Sequence, residues 1–241
     1  MIETLIKSGI ELAIYMLEAG LFLYLLLWGR SRRRVGVSLY IGSLLAVDAV
    51  GRNWVLHHYG FQSLQYYYFF YVTDVLLALS AFLLICSFFR RACLERRQMW
   101  YNLRLLLIFV FIIVVGISGI SLSQSRVAHI VEFEQNLYFT CLVLNTVLYV
   151  LIQHVHAADD ELDLLTCGMG IQFAPPAANF ALVFLTHGQH YIGVLQYVTP
   201  LCTLAMLALW FYAIAWKPRT AAARVEGKGV RSLAQVPVYK A

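Results

Sequence analysis

Long apolar runs follow one another along almost the whole chain, separated by short clusters of arginine, glycine or acidic residues. Seven such runs fall at roughly 8–29, 35–58, 65–89, 101–122, 131–153, 168–187 and 191–216. Each approaches the ~20 residues an α-helix needs to cross ~30 Å of hydrocarbon. The pattern predicts an all-α polytopic membrane protein, with a seven-helix transmembrane domain over 1–216 and a flexible basic tail over 217–241.

Composition points the same way. Of 241 residues, 61% are hydrophobic and 13% charged, about half the ~25% charged residues usual in a soluble domain. No soluble core absorbs that much apolar surface. The first run is not expected to be a signal peptide, because Glu3, Glu11 and Glu18 precede and interrupt it and no basic leader or small-residue cleavage site accompanies it.

Lysine and arginine positions predict the orientation. Arg30, Arg32, Arg33 and Arg34 lie between the first two spans, and Arg90, Arg91, Arg96, Arg97 and Arg104 at the junction of the third and fourth. Six more occupy the tail, so fifteen face one side against Lys7 and Arg126 on the other. Basic loops stay in the cytoplasm, which places the amino terminus outside, the tail inside, and the protein in a cell membrane, the inner membrane in a bacterium. The net charge of +5 is a topology signal and gives no reason to expect nucleic acid. Expected partners are the bilayer and a further membrane or cytoplasmic protein.

Charged residues inside the spans are the candidate site. At ~1.5 Å per residue, Glu18 lies roughly 15 Å below the outer end of span one, Asp48 roughly 15 Å and Arg52 roughly 9 Å down span two, and Asp74 roughly 13 Å down span three. All four share the outer half of the bilayer. The spacings Glu11/Glu18 and Asp48/Arg52 put each pair on one helix face. A charge at such depth costs ~2.5–3.5 kcal/mol even on lenient scales, so these groups are expected to face inward. Arg52 can neutralise only one of the three carboxylates. The others need a proton, cavity water or a ligand cation. The plainer alternative is an Asp48–Arg52 packing pair, with the remaining carboxyls as hydrogen-bonding glue.

Spans five to seven offer polar groups to the same interior: Asn145, Gln172, Asn179, Gln196, Thr199 and Thr203. Pro175-Pro176 and Pro200 are expected to interrupt or kink their helices and free carbonyls for polar contacts. The expected ligand pocket is therefore Glu18, Asp48, Arg52, Asp74, Asn179 and Gln196, opening outward. At the start of span three, Tyr66, Tyr67, Tyr68, Phe69, Phe70 and Tyr71 read as an interfacial aromatic belt whose inward subset can line a vestibule.

Other chemistry is weaker. His57, His187 and His190 all fall near the outer surface and are the candidate ligands for a transition metal or an interfacial haem, but adjacent His57 and His58 point apart on a helix and no histidine lies deep in a span. No cofactor is expected. Five cysteines without a CxxC pair give no redox or zinc signal. Asp159-Asp160-Glu161-Leu162-Asp163 resembles the DDxxD magnesium-diphosphate motif of isoprenyl-transferring enzymes. With no second acidic motif opposite, it reads as a solvated loop between spans five and six, and no enzyme is expected.

Retinal proteins need a lysine in the last span, and the four lysines are Lys7, Lys217, Lys228 and Lys240. Eukaryotic seven-helix receptors have an acidic-Arg-Tyr triplet where this chain has Phe88-Phe89-Arg90-Arg91. With its Tyr/Phe-rich start and Phe-Phe-Arg-Arg end of span three, the layout over 1–216 resembles uncharacterised bacterial seven-helix membrane proteins, a resemblance that implies topology and no activity. The sequence predicts an outward-opening polar pocket that binds a small ligand for signalling through a partner. A structural subunit of a larger membrane complex is the main alternative, then a transporter, then an interfacial metal or haem subunit.

Overall fold

The computed structural model describes residues 2–28, 34–60, 63–93, 97–121, 126–155, 159–185 and 192–216. The tail at 217–241, His187 and His190 lie outside the described residues. Among the described residues the secondary structure is helical, with no strand. The helices are α1 (Ile2–Trp28), α2 (Val35–Leu45), α3 (Asn53–Tyr59), α4 (Leu64–Ala92), α5 (Arg97–Ser121), α6 (Arg126–Val155), α7 (Asp160–Leu185) and α8 (Ile192–Phe211). A π-helical segment, Ala46–Arg52, joins α2 to α3, and a second, Tyr212–Trp216, ends α8. Seven helical rods therefore correspond to the seven apolar runs, and among the described residues six of them are long and apolar enough to cross a membrane. The exception is α7, which has the length but carries Asp160, Glu161 and Asp163 in its first turn and two prolines further on.

Two boundaries differ from the sequence reading for physical reasons. Span two is not one continuous α-helix, because a π segment falls across its charged residues. The tandem proline and Pro200 do not interrupt their helices, and α7 and α8 run straight through them in sequence. Each ring removes one donor, a cost that helices in a membrane tolerate where neighbouring groups meet the freed carbonyls.

Six rods form a closed ring. α1 packs on the α2 rod, α2 on α4, α4 on α6, α6 on α7, α7 on α8, and α8 back on α1. α5 stands outside, against α6 and, more lightly, α4. α4 is the pillar, burying Leu77, Ala78, Ala81, Leu84, Ile85, Phe88 and Phe89.

Lipid tails are as apolar as leucine, so the ring is held by close van der Waals packing rather than by expulsion of water. Small residues sit where that packing is tightest. A Cβ at Gly168 would collide with the Trp210 indole, whose Nε1 donates to the Leu165 carbonyl at 3.0 Å. A Cβ at Gly42 would come within 2.9 Å of the Phe22 ring. Glycine at these points lets α7 and α8, and α1 and α2, approach more closely than side chains permit.

Candidate functional site

Ser63 opens α4, its hydroxyl accepting from the Tyr66 amide at 3.1 Å, and Gly60 ends α3 in the left-handed region at φ 76°. This tight reversal brings the π segment alongside the first turns of α4. A Cβ at Gly51 would lie 2.7 Å from the Phe69 ring and 3.2 Å from the Ala46 carbonyl, so glycine permits the contact. The close approach delivers Arg52 to Asp74.

Arg52 is shared. Its Nη1 pairs with Asp48 Oδ1 at 2.8 Å, one turn back on the same rod, and its Nη2 donates to Asp74 Oδ1 on α4. The guanidinium carbon lies 4.5 Å from the centroid of the Phe70 ring. The side chains of Asp48 and Arg52 are about a quarter exposed and that of Asp74 is 14% exposed. The expectation that Arg52 satisfies one carboxylate thus holds for charge but not for contact.

Glu18, on α1, is fully buried at 0% exposure. Neither of its carboxyl oxygens has a hydrogen-bond partner among the described residues. Asp48 is near enough for its charge to be felt there. Tyr15, one turn earlier, reaches Asn53, so α1 and the π/α3 rod meet along this face. Glu11 shares the face of Glu18 but is exposed, because the packing that covers Glu18 does not extend two turns further. Buried groups of this kind normally find a partner. An ionised carboxylate in such surroundings is neutralised by a proton or by a cation from elsewhere.

The other predicted members do not all join. The helices carrying Asn179 and Gln196 are described, but their side chains lie outside the described residues. Asn145 does not face the acidic cluster: its Nδ2 donates to the Thr166 carbonyl at 3.1 Å, tying α6 to α7 where Gly170 leaves room. His57 is exposed at the end of α3, and His58 stacks on Trp54 with centroids 5.1 Å apart. Among the described residues no group of three metal-ligating side chains converges. The aromatic belt divides, with Tyr67 and Tyr68 exposed while Phe69 and Phe70 serve Gly51 and Arg52.

A second charged cluster lies at the opposite end. The acidic 159–163 segment is not a free solvated loop, because Asp159 and Glu161 are held by arginines from two other rods. Arg91, ending α4, donates Nε to Asp159 Oδ2 at 2.7 Å and Nη2 to Oδ1 at 2.9 Å. Its Nη1 is 3.5 Å from Glu161 Oε1, and Arg34 Nη2 reaches Glu161 Oε2 at 3.3 Å. Asp159 Oδ1 also accepts from the Leu162 amide at 3.4 Å, capping α7. A carboxylate at a helix amino terminus is favourable there. A cavity of about 700 Å³ opens at this same end, between α2 and α4.

Sequence reasoning named the four charges and, within the aromatic belt, Phe70; it did not anticipate Tyr15 or the π segment. Gly51, between Asp48 and Arg52, is the residue that could have signalled a close helix approach. Compared with known protein families, curated proteins and solved structures, the chain has no match.

Proposed function

We propose that this protein binds a small cation-bearing ligand at its intramembrane acidic cluster and reports occupancy to a partner protein. The observation that carries the reading is Glu18, fully buried with both oxygens unbonded among the described residues and close to Asp48, which shares one arginine with Asp74. These three carboxylates have one arginine among them. A ligand ammonium supplies the missing positive charge, and a charge-assisted bond to a desolvated carboxylate is among the stronger polar contacts available to it. Phe70 and Tyr15 give the neighbourhood an aromatic character suited to an organic cation. No catalytic step belongs to the proposal, and the signal passes to a membrane or cytoplasmic partner.

The proposal includes the orientation: Tyr59 and Gly60 outside, Arg90 to Arg97 in the cytoplasm. In a background with the five cysteines replaced by alanine, Tyr59→Cys should react with an impermeant maleimide in intact cells and Glu95→Cys should not. The reverse result inverts the topology and turns the cluster toward the cytoplasmic side.

A rival reading has its own observation. α5 stands outside the ring with Leu105, Phe109 and Ile112 exposed, a face that a neighbouring subunit of a larger complex would cover. Purification in mild detergent separates the two. The ligand reading expects a small organic cation in the extract of the wild type and its loss from Glu18→Gln. A stoichiometric protein partner with no bound small molecule supports the scaffold, and a haem absorbance band would contradict both.

A further inference from the structure

The cavity between α2 and α4 is a groove built like one leaflet of the bilayer. Its rim is apolar and exposed: Val35 and Leu39 on α2, Leu83 on α4. Gly36 and Ser87 form the floor, where a Cβ on Gly36 would come within 3.1 Å of the Ser87 hydroxyl. On the α4 side the lining runs from Ser80 to Arg91. The eleven helical steps from Ser80 to Arg91 rise ~16 Å, about half of the ~30 Å hydrocarbon thickness and thus the reach of one acyl chain from headgroup to midplane.

The groove has a basic head. Arg90 and Arg91 line the end away from Ser80. Arg91 is occupied by Asp159 and Glu161. Arg90 is exposed and has no carboxylate partner within ion-pair distance among the described residues. At this end Arg34 and Arg91 hold Asp159 and Glu161, and Asp160 and Asp163 stand in the same turn of α7; Arg90 is ion-paired to none of them among the described residues, which leaves its guanidinium exposed at headgroup depth. Phosphate groups at the membrane surface attract such residues.

We propose that this groove binds one anionic phospholipid, its phosphate on Arg90 and one acyl chain along Leu39, Leu83 and the Gly36 floor. The site is distinct from the acidic cluster, lies at the other end of the same two rods, and does not depend on the function proposed above. A bound lipid would fix the separation of α2 and α4, the two rods that carry Arg52 and Asp74 at their far ends.

The test is native mass spectrometry of the full chain in detergent, titrated with dioleoyl phosphatidylglycerol or dioleoyl phosphatidylcholine. The wild type should retain one phosphatidylglycerol under activation that strips phosphatidylcholine. Arg90→Gln should lower phosphatidylglycerol occupancy roughly fivefold, and Arg104→Gln, an exposed arginine on α5 outside the groove, should not. Leu83→Trp, which fills the rim from an exposed position, should remove the bound lipid while leaving the melting temperature unchanged. Equal retention by wild type, Arg90→Gln and Leu83→Trp overturns the proposal. Displacement of the lipid by millimolar inorganic phosphate alone also overturns it, since the acyl chain would then contribute nothing.

Discussion

Two clusters of arginine and carboxylate stand at opposite ends of α4, and they are built to different balances. At the α7 end, Arg34 and Arg91 hold Asp159 and Glu161, with Arg91 contacting both carboxylates, and Asp160 and Asp163 stand in the same first turn of the helix. At the other end Arg52 alone faces Asp48 and Asp74, with Glu18 buried nearby. The first is closed: each of its arginines is paired and one of the carboxylates caps a helix. The second is short of one or two positive charges in a region where each uncompensated charge costs ~2.5–3.5 kcal/mol or more. A balanced cluster explains itself as a clasp between rods. An unbalanced one in the hydrocarbon needs a proton or a cation, and on that difference the proposed ligand site rests.

Removing each arginine tests the contrast. Arg52→Leu strands two carboxylates beside a third, and the expected loss is ~3–5 kcal/mol, read by reversible denaturation in mixed micelles. Combining it with Asp48→Asn and Asp74→Asn should recover more than half of that loss. Failure to recover it would mean that Arg52 acts by packing on Phe70 and not by charge. Arg91→Leu comes next, at roughly 1–3 kcal/mol, because Asp159 is partly exposed and its freed carboxylate can hydrate. A loss as large as that of Arg52→Leu would erase the distinction between the two ends. Arg34→Gln, with a single 3.3 Å contact to Glu161, should cost at most ~1 kcal/mol.

The contrast was only half legible in the sequence. Apolar runs of membrane length announced seven helical rods, and Glu18, Asp48, Arg52 and Asp74 stood out because charge is rare there. Helical spacing shows which residues share a face but not which neighbour that face meets. Nothing in the spacing of Asp48 and Arg52 indicated that a π segment would carry them against α4, since each extra residue in a helical turn rotates everything beyond it by roughly 100°. Asn145 was offered to the same interior because it is a polar residue inside a span, and its partner proved to be the Thr166 carbonyl across the α6–α7 contact. Asp159 and Glu161 looked like a loop because their arginines lie 68 and 127 residues away in sequence, respectively. That α5 stands outside the ring was invisible too, since its apolar run resembles the others and only the packing separates them.

Glu18 decides the central claim most directly. The measurement is the melting temperature of wild type and Glu18→Gln in detergent, with sodium chloride, ethylammonium chloride or tetramethylammonium chloride at equal ionic strength. Gln keeps the shape and hydrogen-bonding capacity of Glu while removing its charge. If Glu18 is the anchor of a cation site, organic cations should raise the melting temperature of the wild type above its value in sodium chloride. Glu18→Gln should lose that response and melt no lower than the cation-free wild type. A Glu18→Gln protein that melts several degrees lower, together with a wild type indifferent to organic cations, would make Glu18 part of the packing and contradict the ligand site.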